Sequence, residues 1–135
     1  MDTDPRLIRG FQLVAGLIAL LILVQATLAG QFEHNGADLK GVHAMMGNFL
    51  FMLAIVLLAL AWLTRDAWRY RMVIWAAVVL LLIVAQIGLG YGSRDSGDAA
   101  AIHIPLGVFL FSLSSIIAML SAIDERAKSV LRGSG

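Results

Sequence analysis

The charged side chains of this 135-residue chain leave four uncharged runs between them, at positions 10–32, 41–64, 72–93 and 99–123. These runs hold 23, 24, 22 and 25 residues. A helix needs roughly 20 residues to cross a hydrocarbon core about 30 Å thick. Inside lipid the backbone must satisfy its own hydrogen bonds, so an apolar run of this length is an α-helix. Apolar residues make up 60% of the chain and the mean hydropathy is +0.87, beyond the roughly half-apolar usage of soluble domains. The expectation is an all-α integral membrane protein. It reads as a single domain, 1–135, forming a four-helix up-down bundle with helices at about 7–30, 41–64, 71–92 and 99–124.

The second half of the chain repeats the first. Gln25 and Leu28 recur as Gln86 and Leu89, an offset of 61, while His43, Gly47, Phe49, Leu50 and Phe51 recur as His103, Gly107, Phe109, Leu110 and Phe111, an offset of 60. A duplicated helical hairpin explains both offsets, with one residue of difference in the connecting loop. Two hairpins entering from the same side imply a pseudo-two-fold axis along the membrane normal. In a square bundle of sequential neighbours, the second and fourth helices then stand at opposite corners. Axes of neighbouring helices lie about 8–10 Å apart, so imidazoles reaching inward along that diagonal can meet a shared ligand.

Lysine and arginine set the expected orientation. Arg6, Arg9, Arg65, Arg69, Arg71, Arg126, Lys128 and Arg132 fall on one side, against Lys40 and Arg94 on the other. By the positive-inside rule both termini are cytoplasmic in a bacterial-type plasma membrane, and the loops 31–40 and 91–98 face outward. The first run is too long for the apolar core of a signal peptide and is read as a retained helix. Trp62, Trp68, Tyr70 and Trp75 gather at the cytoplasmic rim, where interfacial aromatics anchor spans. The chain has no cysteine, which excludes disulfides, thiolate metal sites and covalent c-type haem. A net charge of +1 gives no reason to expect nucleic acid as a partner.

The chemistry-bearing residues follow the repeat. His43 and His103 are symmetry mates inside apolar runs, where ionisable groups are costly and tend to mark function. Gly47 and Gly107 lie one turn deeper on the same faces and would leave a slot for the edge of a flat ring; close helix packing is the plainer use of such glycines. Gln25 and Gln86 are buried polar groups that need partners, either across helices or on a cofactor. Gly88, Gly90 and Gly92 allow close approach to the third helix, and Pro105 removes a backbone donor near His103. Lys40 and Arg94, one per outer loop, could pair with the propionates of a haem. His34 has no mate in the second repeat and reads as a loop or rim residue.

These residues resemble a known family. Lys40-Gly-Val-His43, Gln86-Ile-Gly-Leu-Gly90 and Ile-His103 are similar to one half of the heme A synthase family, whose two four-helix halves each place a histidine pair on their second and fourth helices. The resemblance implies that His43 and His103 are axial haem ligands and that Gln86, Gly88 and Gly90 belong to a glycine-rich third helix. The family's substrate-binding half carries a glutamate where this chain has Lys40, and often an outer-loop cysteine pair that this chain lacks. What remains is similar to the half that holds haem b for electron transfer.

The leading expectation is therefore a membrane b-type cytochrome with one bis-histidine haem b per chain near the outer face, exchanging electrons with a quinol or an outer redox protein. A homodimer, acting as a haem-modifying or quinol-linked enzyme, is one alternative. A cofactor-free scaffold or accessory subunit is another. The last is a bare zinc or copper site at the rim, using His34, His43 or His103 with Glu33, Asp38, Asp95 or Asp98.

Overall fold

The structure, a computed structural model, describes residues 3–35, 38–68, 70–93 and 96–133, with side chains except at positions 32, 35 and 127–133. It is an all-α bundle of four helices: α1 (Pro5–Asn35), α2 (Lys40–Leu63), α3 (Arg71–Gly92) and α4 (Gly97–Gly133). All four are long and apolar enough to cross a membrane, so the chain is a multi-pass membrane protein. Close backbone approaches join α1 with α2, α2 with α3, α3 with α4 and α4 with α1, and among the described residues neither diagonal pair makes one. This is the square arrangement expected from the repeat, with α2 and α4 at opposite corners.

Local chemistry starts and stops these helices. Asp4 caps α1 by accepting the Arg6 backbone N–H at 2.8 Å, and Pro5 at the first helical position has no N–H to leave unpaired. At the end of α2, the Thr64 hydroxyl donates to the Leu60 carbonyl at 2.7 Å. The turn between α2 and α3 closes through Tyr70, which adopts a left-handed backbone with φ of 63°. A non-glycine residue there carries about 1 kcal/mol or more of strain, and two turn hydrogen bonds hold it, Tyr70 N–H to Arg65 O and Arg71 N–H to Trp68 O, each 3.1 Å.

Two expected helix ends move. α1 continues through Gln31, Glu33 and His34 to Asn35, and α4 continues past Asp124 to Gly133. Charge limits a membrane span but does not end a helix, and neither extension contains a proline or an interior glycine. The far-end connections are consequently shorter than the loops 31–40 and 91–98 inferred from charge. Trp68 also departs from expectation. It is only 3% exposed and packs on Phe11 with ring centroids 5.0 Å apart, so it belongs to the core, while Trp62, Tyr70 and Trp75 are exposed as rim aromatics.

The packed core obeys the duplication almost residue for residue. Phe11, Ala15, Ile18 and Ile22 on α1 match Met72, Ala76, Val79 and Ile83 on α3, and Leu50, Ala54, Leu57 and Ala61 on α2 match Leu110, Ser114, Ile117 and Ser121 on α4; all sixteen are buried. Spacings of three and four keep each set on one helix face. In lipid such stripes are held by van der Waals fit and interhelical hydrogen bonds rather than by expulsion of water; Gln12 Nε2 donating to the Ser121 carbonyl at 3.1 Å is one such bond. The buried core runs from the end carrying the chain termini up to Ile22, Leu50, Ile83 and Leu110. Beyond that four-residue floor the packing opens.

Candidate functional site

Above the floor the inward stripes continue as Gln25 and Ala29 on α1, Gly47 and His43 on α2, Gln86 and Gly90 on α3, and Gly107 and His103 on α4. The change from branched aliphatics to glycine, alanine and polar residues removes the volume that would fill the bundle. Two contiguous cavities result. One, of about 590 Å³, opens toward the far rim and is lined in part by Lys40, Tyr91, Ser93 and Ala100. The other, about 400 Å³, rests on Ile22, Leu50, Ile83 and Leu110. Both have His43, His103, Gln25 and Gln86 in their walls, and both fall within the usual size of small-molecule sites. Aliphatic side chains dominate the deeper space and Lys40 joins the wall only at the rim, so an amphipathic ligand matches the pair.

The histidines meet across the diagonal. Their ring centroids are 6.3 Å apart with planes inclined at 60°. An imidazole nitrogen sits about 2 Å from a metal it ligates and roughly 1.1 Å from its own ring centroid, so two rings on opposite sides of one metal have centroids about 6 Å apart. The observed spacing fits a metal held between two imidazoles. His103 reaches this position because Gly90 faces it: a Cβ there would lie 3.1 Å from Cε1 of the ring.

The glycines one turn deeper make room for a neighbouring side chain. A Cβ on Gly107 would fall 3.1 Å from Gln86 Nε2, and one on Gly47 would fall 3.4 Å from Gln25 Nε2. Glutamine amides of α1 and α3 stand at both notches, so these glycines admit a side chain from the neighbouring helix, and both also line the deeper cavity. Gln86 Nε2 uses the notch to donate to the His103 backbone carbonyl at 2.8 Å, while His103 Nδ1 lies 3.1 Å from the Gln86 backbone carbonyl. Gln25 and His43 hold the repeat-equivalent positions in the first hairpin, with Gln25 Nε2 at the Gly47 notch. Oε1 of each glutamine is buried without a hydrogen-bond partner.

No protein-family model, curated protein or solved structure matches this chain. The site is therefore read from its own residues.

Of the sequence-predicted residues, His43, His103, Gln25, Gln86, Gly47, Gly107 and Lys40 all line one or both cavities. Arg94 and Asp95 lie outside the described residues. His34 is not in a loop: it sits in the last turn of α1, its Nδ1 3.2 Å from the Gly30 carbonyl, and lines both cavities. Among the described residues, no three His, Cys, Asp or Glu side chains gather as a metal-binding group, so Glu33, Asp38 and Asp98 do not join the histidines in a three-ligand cluster. Glu33, expected only as a rim metal ligand, lines both cavities, as do Ala29 and Ile87, which the sequence reading does not single out. The four-residue step from Gln25 to Ala29 to Glu33 carries the signal for two of them, since it continues the inward face of α1.

Proposed function

We propose that this chain is a small membrane b-type cytochrome in which His43 and His103 ligate one haem b between α2 and α4. The observation that carries the reading is the histidine pair, repeat-related and 6.3 Å apart, set in the walls of a cavity where the packed core ends. The residues present fit such a group. With Nδ1 of His103 engaged by a carbonyl, Nε2 remains as the ligating nitrogen, the arrangement that fixes tautomer and ring direction in metal-bound histidines. A haem bound between two imidazoles supplies one-electron chemistry and leaves no open iron position, which favours electron transfer over oxygen binding.

The chain's own residues then have separate tasks. His43 and His103 supply lone pairs, and the floor of Ile22, Ile83, Leu50 and Leu110 keeps water from the deeper face. Lys40, in the wall of the rim cavity, offers a cation to a propionate. The charge distribution supports placing both termini in the cytoplasm and the haem near the outer face of a plasma membrane. A quinol or an outer redox protein is the proposed electron partner. The resemblance to one half of the heme A synthase family belongs to this same proposal.

The test is the visible absorption of detergent-purified protein, oxidised and dithionite-reduced, beside His43→Ala and His103→Ala. A sharp low-spin b-type spectrum, lost in either variant, is expected. A colourless protein that takes up no added haem would refute the reading and leave a cofactor-free scaffold.

A further inference from the structure

The second hairpin builds a reciprocal contact between its helices, and the first places the same residue types at the equivalent positions. In the second hairpin the chain of contacts is closed: the Gln86 side chain donates to the His103 carbonyl at 2.8 Å, and the His103 ring returns to the Gln86 carbonyl at 3.1 Å. A carbonyl oxygen only accepts, so Nδ1 of His103 must carry the proton, and in the neutral ring Nε2 then holds the lone pair. The same logic sets the amide of Gln86, whose nitrogen faces the carbonyl and whose oxygen faces away. The contact depends on Gly107, because a methyl there would stand 3.1 Å from the amide nitrogen. In the first hairpin Gln25 Nε2 lies 3.4 Å from the corresponding point at Gly47.

We infer that Gln86 is a positioning residue: it enters the glycine notch beside His103 and holds that ring in its Nδ1–H tautomer, with Nε2 turned toward His43, and Gln25 is its repeat-related counterpart beside His43. The side chain ties helix to helix at the histidine's own carbonyl. The backbone carbonyl of the same glutamine then meets the ring at a fixed height. One residue thereby sets both the register of the hairpin and the direction of the ligand. His-x-x-x-Gly with a facing glutamine is the minimal set for this device, which explains why all three recur at the repeat offsets. The inference rests on the histidine pair being a ligand pair, but its test does not need a ligand.

The experiment is nitrogen NMR of the full chain in lipid nanodiscs, 15N-labelled at histidine and prepared without haem, which distinguishes protonated from lone-pair ring nitrogens. In the parent protein His103 should appear as the Nδ1–H form, against the Nε2–H form that unconstrained neutral histidine favours. Gln86→Leu keeps the side-chain bulk and removes the amide. It should shift the His103 tautomer ratio about five- to tenfold toward Nε2–H, the weight of one hydrogen bond, and leave His43 as an internal control. Gly107→Ala keeps the amide but closes the notch, and should give the same shift if Gln86→Leu fails to fold. An Nε2–H His103 in the parent protein overturns the inference, as does an unchanged ratio in the variants that fold. A haem-loaded sample adds a second readout, since a released ring should broaden the low-spin electron paramagnetic resonance signal. A parent chain that shows the locked tautomer yet takes up no haem defeats the cytochrome reading alone.

Discussion

Replacing Gly90 by alanine should loosen the histidine pair although alanine is the better helix former. The new Cβ would stand 3.1 Å from Cε1, 3.6 Å from Nδ1 and 3.8 Å from Nε2 of His103. Carbon atoms prefer separations of about 3.5–4.0 Å, so the ring must retreat by roughly half an ångström. Nδ1 already lies 3.1 Å from the Gln86 carbonyl, and that retreat carries it past the range of a good hydrogen bond. Overpacking costs about 1–3 kcal/mol and the weakened bond about 1 kcal/mol, against a helix gain of at most about 1 kcal/mol. The net effect is a loss of about 1–3 kcal/mol by this balance. Gly88→Ala is the internal control, because nothing lies within 4 Å of a Cβ there. The assay is reversible unfolding in mixed micelles, run with and without haem and followed by the Soret band. Gly90→Ala should unfold earlier than the parent and bind haem at least several-fold more weakly, while Gly88→Ala matches or exceeds the parent in both. Equal behaviour of the two alanine variants would refute the reasoning that Gly90 exists to admit the His103 ring.

Other expectations separate the packed half of the bundle from the cavity half. Phe11→Ala, at a fully buried ring stacked on Trp68, should cost about 3–5 kcal/mol in a detergent-unfolding curve while leaving the visible spectrum of the folded fraction unchanged. Asp124→Asn breaks the 3.1 Å pair with Arg71, whose side chains are 38% and 62% exposed; at such exposure the loss should stay below about 1 kcal/mol and vanish at high salt, and a larger loss in the same curve would contradict that. Lys40→Gln should speed haem loss to apomyoglobin a few-fold if the lysine pairs with a propionate, and an unchanged rate would remove it from the site. Cysteine introduced at Ser96 should react with an impermeant maleimide from outside intact cells, and cysteine at Asp66 should not.

Much of the architecture was legible before any coordinates. The hydrocarbon core demands about twenty helical residues per crossing, so four uncharged runs dictate four spans. A three- and four-residue step returns side chains to one face, so the repeat that pairs Leu50 with Leu110 and Gln25 with Gln86 also reveals which residues turn inward and which helices stand diagonally. His43 and His103 follow as partners from that symmetry alone. Tertiary structure decided what the one-dimensional pattern could not contain. Whether a missing side chain at Gly47 or Gly107 admits a ring or a glutamine amide depends on how close the neighbouring helix stands. The separation of the histidine rings is likewise set by the bundle's diagonal and by Gly90, not by spacing along either helix. Trp68 could be a lipid anchor or a core residue until the fold of its turn laid it on Phe11. Periodicity fixes direction about a helix axis because it is a local, covalent property; distances between helices arise only when all four faces are packed together.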